Sequence, residues 1–319
     1  MSNPQGIPSV DLSEFLSGDK NQQQNFINKL GSAYENIGFV AVKNHGISQQ
    51  LIDQLYAQMK LFFGHDKAIK QKYNIPENGG QRGYTPSGTE HAKGKTAGDL
   101  KEFWHFGQFV EDNDPIGKEY PDNVNVEEQP DFLKVGKLAY KAFEDTGRHL
   151  LRAIALHLGL DETYFNEHIS NGNSILRSIH YPPITGEIEE GAVRASEHED
   201  INLITLLVGA SADGLQVLNK QNEWISVTAI QDHIVVNVGD MLQRLTNNKL
   251  KSTTHRVINP PKEQLGTSRY SVPFFLHPRS NMPLNCLPSC IDEQNPKAYE
   301  NTTAGEYLME RLREIGLIK

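Results

Sequence analysis

A chain of 319 residues with 37% hydrophobic content is long enough to fold as one large domain or two small ones around a substantial core. Its 40 acidic residues against 31 basic ones leave a net charge of −9, which argues against nucleic acid as a partner and favours a small molecule, because phosphate binding needs basic stripes. The opening MSNPQGIPSVDL has no basic segment followed by an apolar one, and no apolar run approaches the roughly 20 residues of a membrane span, so a soluble cytoplasmic protein is expected. The two cysteines, Cys286 and Cys290, are expected as free thiols.

Two amphipathic helices are predicted early in the chain. Phe26, Ile27, Leu30 and Ala33 recur at helical spacing, as do Leu51, Ile52, Leu55, Met59 and Phe62 after an N-cap at Ser48. Between them GFVAVKNHGI reads as one strand ended by Asn44, His45 and Gly46. From about residue 76 to 125 the text is rich in Gly, Pro, Asp and Lys, which predicts loops around an isolated DLKEFWHFG segment. A long helix follows, with Leu138, Phe143, Leu150, Leu151, Ile154 and Leu158 on one side and Gly159 as its stop.

From residue 174 the pattern becomes SILRSIHYP, INLITLLVG, LQVL, WISV, IVVNVG, STTHRVIN and RYSVPFFLH, with turns at Asp213-Gly214, Lys220-Gln221-Asn222, Gly239-Asp240 and Asn247-Asn248. Many short strands at this spacing predict an antiparallel sandwich or barrel, a jelly roll being one such form. Helix returns at the end, where Thr303 and Glu306 form a capping box before Tyr307, Leu308, Leu312 and Ile315. The fold class is therefore α+β with a β core. Its two segments are residues 1–125, with helices, strand and loops, and 126–319, with the β core, packed as one compact unit.

The sharpest local feature is SEHEDINLITLL. His198 and Asp200 are separated by one residue at the start of a strand-like run, which would turn both side chains to one face. His255 follows 57 positions later in STTHRV. With 12 histidines in the chain, any one of them is more simply a structural residue. Two imidazoles and a carboxylate together make a facial triad that suits iron(II), since three sites of an octahedron stay open. In RYSVPFF, Arg269 and Ser271 are again two apart, and a guanidinium fork beside a hydroxyl suits a carboxylate.

The ordered set HYPP, HEDINLIT, GLQV, VNVGD, LTNN, HRV and RYSVPFF resembles the isopenicillin N synthase-like branch of the 2-oxoglutarate and iron(II)-dependent dioxygenases. IPSVDLSEF, GFVAVKNHGI and MKLFFGHDKAIKQKY resemble that family's N-terminal segment, so the likeness spans nearly the whole chain. It implies a double-stranded β-helix, or jelly roll, packed against N-terminal and C-terminal helices. It implies His198, Asp200 and His255 as iron ligands, Arg269 and Ser271 as the clamp for the distal carboxylate of 2-oxoglutarate, and Tyr181 as a further hydrogen bond to a bound carboxylate. Where plant members often read Asn-Tyr-Tyr-Pro, this chain reads Ile179-His180-Tyr181-Pro182, which weakens any transfer of plant substrate contacts.

The implied activity couples oxidative decarboxylation of 2-oxoglutarate by O2 to hydroxylation of a C–H bond, with succinate and CO2 as products. Desaturation and ring closure are competing outcomes. Two alternatives stay open: an isopenicillin N synthase-type oxidase that uses no 2-oxoglutarate, and a non-catalytic binding module on the same scaffold. For the substrate pocket the loop region offers Arg82, Tyr84, Glu102 and Trp104, and the last strand Phe274. Packing is the simpler role for each, and Arg82 could pair with Glu90.

Overall fold

The computed structural model describes residues 6–89, 99–111, 113–184, 193–208, 214–227 and 232–314. In chain order these form β1 (Ser9–Asp11), α1 (Leu12–Leu16), α2 (Lys20–Asn36), β2 (Phe39–Lys43), α3 (Gln49–Phe63), α4 (Lys67–Gln71), β3 (Gly83–Thr85), β4 (Glu102–Gly107), α5 (Asp131–His157) and α6 (Asn166–Ile169). Then come β5 (Ile175–Tyr181), β6 (Ala195–His198), β7 (Ile204–Val208), β8 (Leu215–Leu218), β9 (Trp224–Ser226), β10 (His233–Val238), α7 (Asp240–Leu245), β11 (His255–Val257), β12 (Arg269–Leu276) and α8 (Ala304–Glu314).

The helices start where short polar side chains can take up unpaired backbone donors. Asp19 accepts from the amides of Asn21 and Gln22, and Ser48 from that of Leu51. At α8 the predicted capping box is reciprocal: the Glu306 amide donates to Thr303 Oγ1 and the Thr303 amide to Glu306 Oε2. Ile315, the last residue of that predicted stripe, lies outside the described residues. Gly159, at φ +72°, ends the α5 region as expected.

The strands form two sheets. The large one runs β1-β2-β10-β7-β12-β5-β4-β3 and the small one β6-β11-β8-β9, all pairs being antiparallel except β1 with β2. They face each other across a cluster of Phe39, Ala41, Ala195, Leu215, Val217 and Val257, flanked by Leu207 and Val235. This is the jelly roll that the run of short strands predicted. The other face of the large sheet carries Leu206, Val236, Val272, Phe274 and Leu176, which pack into one core with α2, α3 and α5. Strand alternation thus separates an inner face, toward the small sheet, from an outer face, toward the helices.

Three local expectations are corrected. DLKEFWHFG is not an isolated segment among loops: its centre is β4, a fully buried strand between β3 and β5. It shows no alternation because both its faces are covered. STTHRVIN yields a strand of only three residues. His198 closes a strand rather than opening one, and Asp200 lies in the connection between β6 and β7. The shared-face argument for His198 and Asp200 therefore fails, although the two side chains do converge. Cys286 and Cys290 are buried free thiols, and Asp213 lies outside the described residues.

Candidate metal centre

β6 and β11 bring His198 directly opposite His255 in register, and the connection after β6 brings Asp200 beneath them. Asp200 Oδ1 stands 3.7 Å from Nε2 of each histidine. One donor atom from each of the three residues falls within 4.8 Å of the others. Both ring orientations are fixed from behind. His198 Nδ1 is 2.7 Å from the Ser196 carbonyl oxygen and His255 Nδ1 3.1 Å from that of Thr253. A carbonyl only accepts, so each Nδ1 carries the proton and each Nε2 turns its lone pair inward. Phe39 meets the His255 ring edge-on at 5.5 Å.

The carboxylate is equally constrained. Thr205 Oγ1 donates to Asp200 Oδ2 at 2.6 Å and Asn237 Nδ2 donates to the same oxygen at 2.8 Å. Asn202 Nδ2 donates to Thr205 Oγ1, which leaves the threonine proton for Asp200. Oδ2 is therefore occupied while Oδ1 is aimed at the two imidazoles. Burial pushes the Asp200 carboxyl upward, yet the histidines, Asn237 and Thr205 outweigh it and hold the pKa below the ordinary value. Loss of hydration and then the nearby His255 bring His198 down to about 4. Its side chain is still 42% exposed. Gly239 keeps the carboxylate's support in place: a Cβ there would lie 2.2 Å from Asn202 Oδ1.

Three lone-pair-bearing atoms facing one another repel unless a cation stands between them. The donor set of two neutral imidazoles and one carboxylate, with the outer atoms already hydrogen-bonded, fits a first-row divalent ion such as iron(II).

On the inner face beyond this cluster, β12 and β5 place Arg269 opposite Tyr181 and Ser271 opposite Ile179. Arg269 is 1% exposed and Ser271 3%, and the guanidinium carbon lies 4.8 Å from the centre of the Tyr181 ring. These three were expected together, and the register puts them on the face that also carries Phe103 and Ile179.

The five residues offered for the substrate pocket lie elsewhere. Tyr84 and Glu102 meet each other at 2.5 Å, with Lys70 at 2.9 Å and His180 at 2.8 Å closing the network around the Glu102 carboxylate. Trp104 packs on Phe62 and Phe132, and Phe274 on Tyr140 and Phe143 of α5. All four belong to the outer face. Arg82 is buried with its guanidinium against Gly107, donating to the Gln81 carbonyl, and burial brings its pKa down to about 10. Glu90 lies outside the described residues.

The inner positions are the strand neighbours of those candidates: Phe103, His105, Arg177 and Phe275. Arg177 lies 4.0 Å from the centre of the Phe103 ring and donates through Nε to His105 Nε2 at 2.6 Å. Alternation could have picked them out once β4 was recognised as a strand. Asn237 also left a signal, as a polar residue among the valines of VNV. Asp99 and Lys101 left none. Asp99 accepts from the Ser196 amide and hydroxyl and from Lys101, bracing the strand that bears His198.

Comparison with known proteins agrees with this geometry. Residues 7–128 match the family described as non-haem dioxygenase in morphine synthesis N-terminal, and residues 172–278 match the 2OG-Fe(II) oxygenase superfamily. A 2-oxoglutarate-Fe(II) type oxidoreductase, ppzD, from Metarhizium rileyi is 31% identical over 96% of this chain and 90% of its own length. A crystal structure from Caulobacter crescentus, described as a 2OG-Fe(II) oxygenase family protein, superposes with a TM-score of 0.88 at 40% identity, covering 98% of this chain and 99% of that one. A full-length Neurospora crassa protein, solved with alpha-KG and thymine, gives a TM-score of 0.85 at 30% identity and 98% coverage of both chains. With iron and 2-oxoglutarate as its working partners, this chain belongs to the 2OG-Fe(II) oxygenase superfamily.

Proposed function

We propose that His198, Asp200 and His255 hold the iron(II), that Arg269, Ser271 and Tyr181 seat 2-oxoglutarate, and that O2 is then used to hydroxylate a C–H bond of a small organic molecule. The observation that carries the metal assignment is the convergence of Asp200 Oδ1 with two imidazole Nε2 atoms whose opposite nitrogens are already bonded to carbonyls. Bound iron supplies the oxidising power, released as 2-oxoglutarate is converted to succinate and CO2.

The chain's own residues orient and insulate. The Ser196 and Thr253 carbonyls fix the histidine tautomers, and Thr205 and Asn237 keep one carboxylate oxygen turned inward. Arg269 offers a planar fork to the distal carboxylate, with Ser271 as a neighbouring hydroxyl. Phe103 and Phe275, with Arg177 beside them, give the inner face an aromatic and cationic lining that suits a planar or anionic substrate.

The isopenicillin N synthase-type alternative is disfavoured by the relative solved with alpha-KG. The net charge of −9 supports a small molecule over nucleic acid, and among the described residues no helix is long and apolar enough to cross a membrane. We place the protein in the cytoplasm, and we divide it at residue 125 into an N-terminal segment and an oxygenase core that fold as one unit. The test is a screen of candidate small molecules with iron(II), 2-oxoglutarate and O2, following succinate and product mass. Succinate formed in step with a product one oxygen heavier is expected. Oxidised product without succinate would establish the other oxidase type, and tight ligand binding without turnover a binding module.

A further inference from the structure

Arg194, just before β6, is a buried guanidinium to which nothing above gives a role. It is 1% exposed. Its guanidinium carbon stands 5.6 Å from the centre of the same Tyr181 ring that Arg269 approaches at 4.8 Å. Nη2 donates to the Thr267 carbonyl at 3.2 Å, whereas Nε is buried without a hydrogen-bond partner. Among the described residues no carboxylate pairs with Arg194. Burial, followed by repulsion from Arg269, lowers its pKa, with Tyr181 opposing. A desolvated cation with an open N–H, set beside a second like charge, is costly unless an anion joins it.

We propose that Arg194 is a second guanidinium of the seat for the distal carboxylate of 2-oxoglutarate, acting with Arg269 beside the Tyr181 ring. This rests on the function proposed above. The placement favours the distal carboxylate over the metal-bound end. Arg194 precedes the first residue of β6 and His198 is the last, while Arg269 opens β12 with Thr267 two residues before it, and Tyr181 ends β5. All four residues thus gather where Arg269 sits, away from the iron ligands. The consequence is selectivity: two guanidiniums reward a 2-oxo acid with a second carboxylate and give nothing to one without it.

The experiment is an anaerobic titration of the iron(II) protein with 2-oxoglutarate and, separately, with 2-oxopentanoate, which keeps the five-carbon chain but lacks the distal carboxylate. Binding is read from the visible charge-transfer band of the chelate, without turnover. Arg194→Met is expected to raise the half-saturating 2-oxoglutarate concentration roughly ten- to a hundredfold, the range for a charge-assisted hydrogen bond. It should leave that for 2-oxopentanoate within about twofold, and iron affinity unchanged. Arg194→Lys, which keeps the charge but loses the fork, should show a smaller loss confined to 2-oxoglutarate. Equal weakening of both 2-oxo acids would make Arg194 a structural brace, and an unchanged 2-oxoglutarate midpoint would remove it from the site. If Arg194→Met fails to fold, the same two criteria apply to Arg194→Lys. No band from the wild type with either 2-oxo acid would overturn the proposed function itself, and this inference with it.

Discussion

Asp200 illustrates how much of a metal site is decided by groups that never touch the metal. One of its oxygens is held by Thr205 and Asn237 at 2.6 and 2.8 Å, and only the other is presented to the histidines. Removing one of the two donors loosens the carboxylate and leaves its buried oxygen with a single hydrogen bond. Thr205→Val is therefore expected to weaken iron(II) binding about ten- to a hundredfold, measured by anaerobic competition with a chelator, while the far-ultraviolet circular dichroism stays that of the wild type. Unaltered affinity would show that Thr205 does not orient the carboxylate. The three candidate ligands could be singled out in the sequence because His-x-Asp and a distant histidine are an unusual donor set, and the structure brings them together. Their supports were not, since asparagine and threonine in a strand have many ordinary uses.

At the scale of elements, β4 shows how a strand covered on both faces escapes notice, because it leaves no alternation in the sequence. Its outward residues Glu102 and Trp104, offered for the pocket with packing as the simpler role, do pack: Trp104 lies on Phe62 and Phe132, and the charge of Glu102 is met by Lys70, His180 and Tyr84. Burial raises the Glu102 pKa, but those hydrogen bonds and the Lys70 charge outweigh it, so the folded value lies below the ordinary one. A carboxyl depressed in this way stabilises the fold above its unfolded pKa, and that stabilisation is lost as pH falls through the folded value. Glu102→Gln should cost about 3 kcal/mol at pH 7, with the difference from wild type shrinking steadily as pH drops below about 4. Urea midpoints across pH would check this, and a difference independent of pH would contradict it.

The LTNN turn makes a parallel case. Asn247 is fully buried, at φ +48°, and its amide donates to the carbonyls of Cys290, Asn295 and Pro296 while accepting from the Ala298 amide. The sequence marked the turn but not the fastening of the C-terminal segment, because the partners lie more than forty positions away. Asn247→Ala should lose about 2–4 kcal/mol, seen as a lower urea midpoint with an unchanged slope. A loss below about 0.5 kcal/mol, as at an ordinary surface turn, would refute that role.

For the whole molecule, the N-terminal segment contributes both ends of the large sheet: β1 and β2 extend it beyond β10, and β3 and β4 beyond β5. Helices α2 and α3 cover its outer face together with α5. The class and the jelly roll were readable from the many short strands, whereas this sharing of one sheet between distant segments was not, since strand partners have no local signature. A fragment of residues 126–319 would expose the edges of β10 and β5 and much of the outer core. It is expected to show no cooperative thermal transition, in contrast to the full chain. A sharp transition in the fragment would mean that the core folds independently.

The central claim is that His198, Asp200 and His255 share one iron(II) that accepts 2-oxoglutarate. Its most direct test is the visible charge-transfer band on adding iron(II) and 2-oxoglutarate without oxygen. The account predicts a band in the wild type, a weakened one in Arg269→Ala and none in His255→Ala at the same concentrations. A wild type without the band, or an undiminished band in His255→Ala, would contradict it.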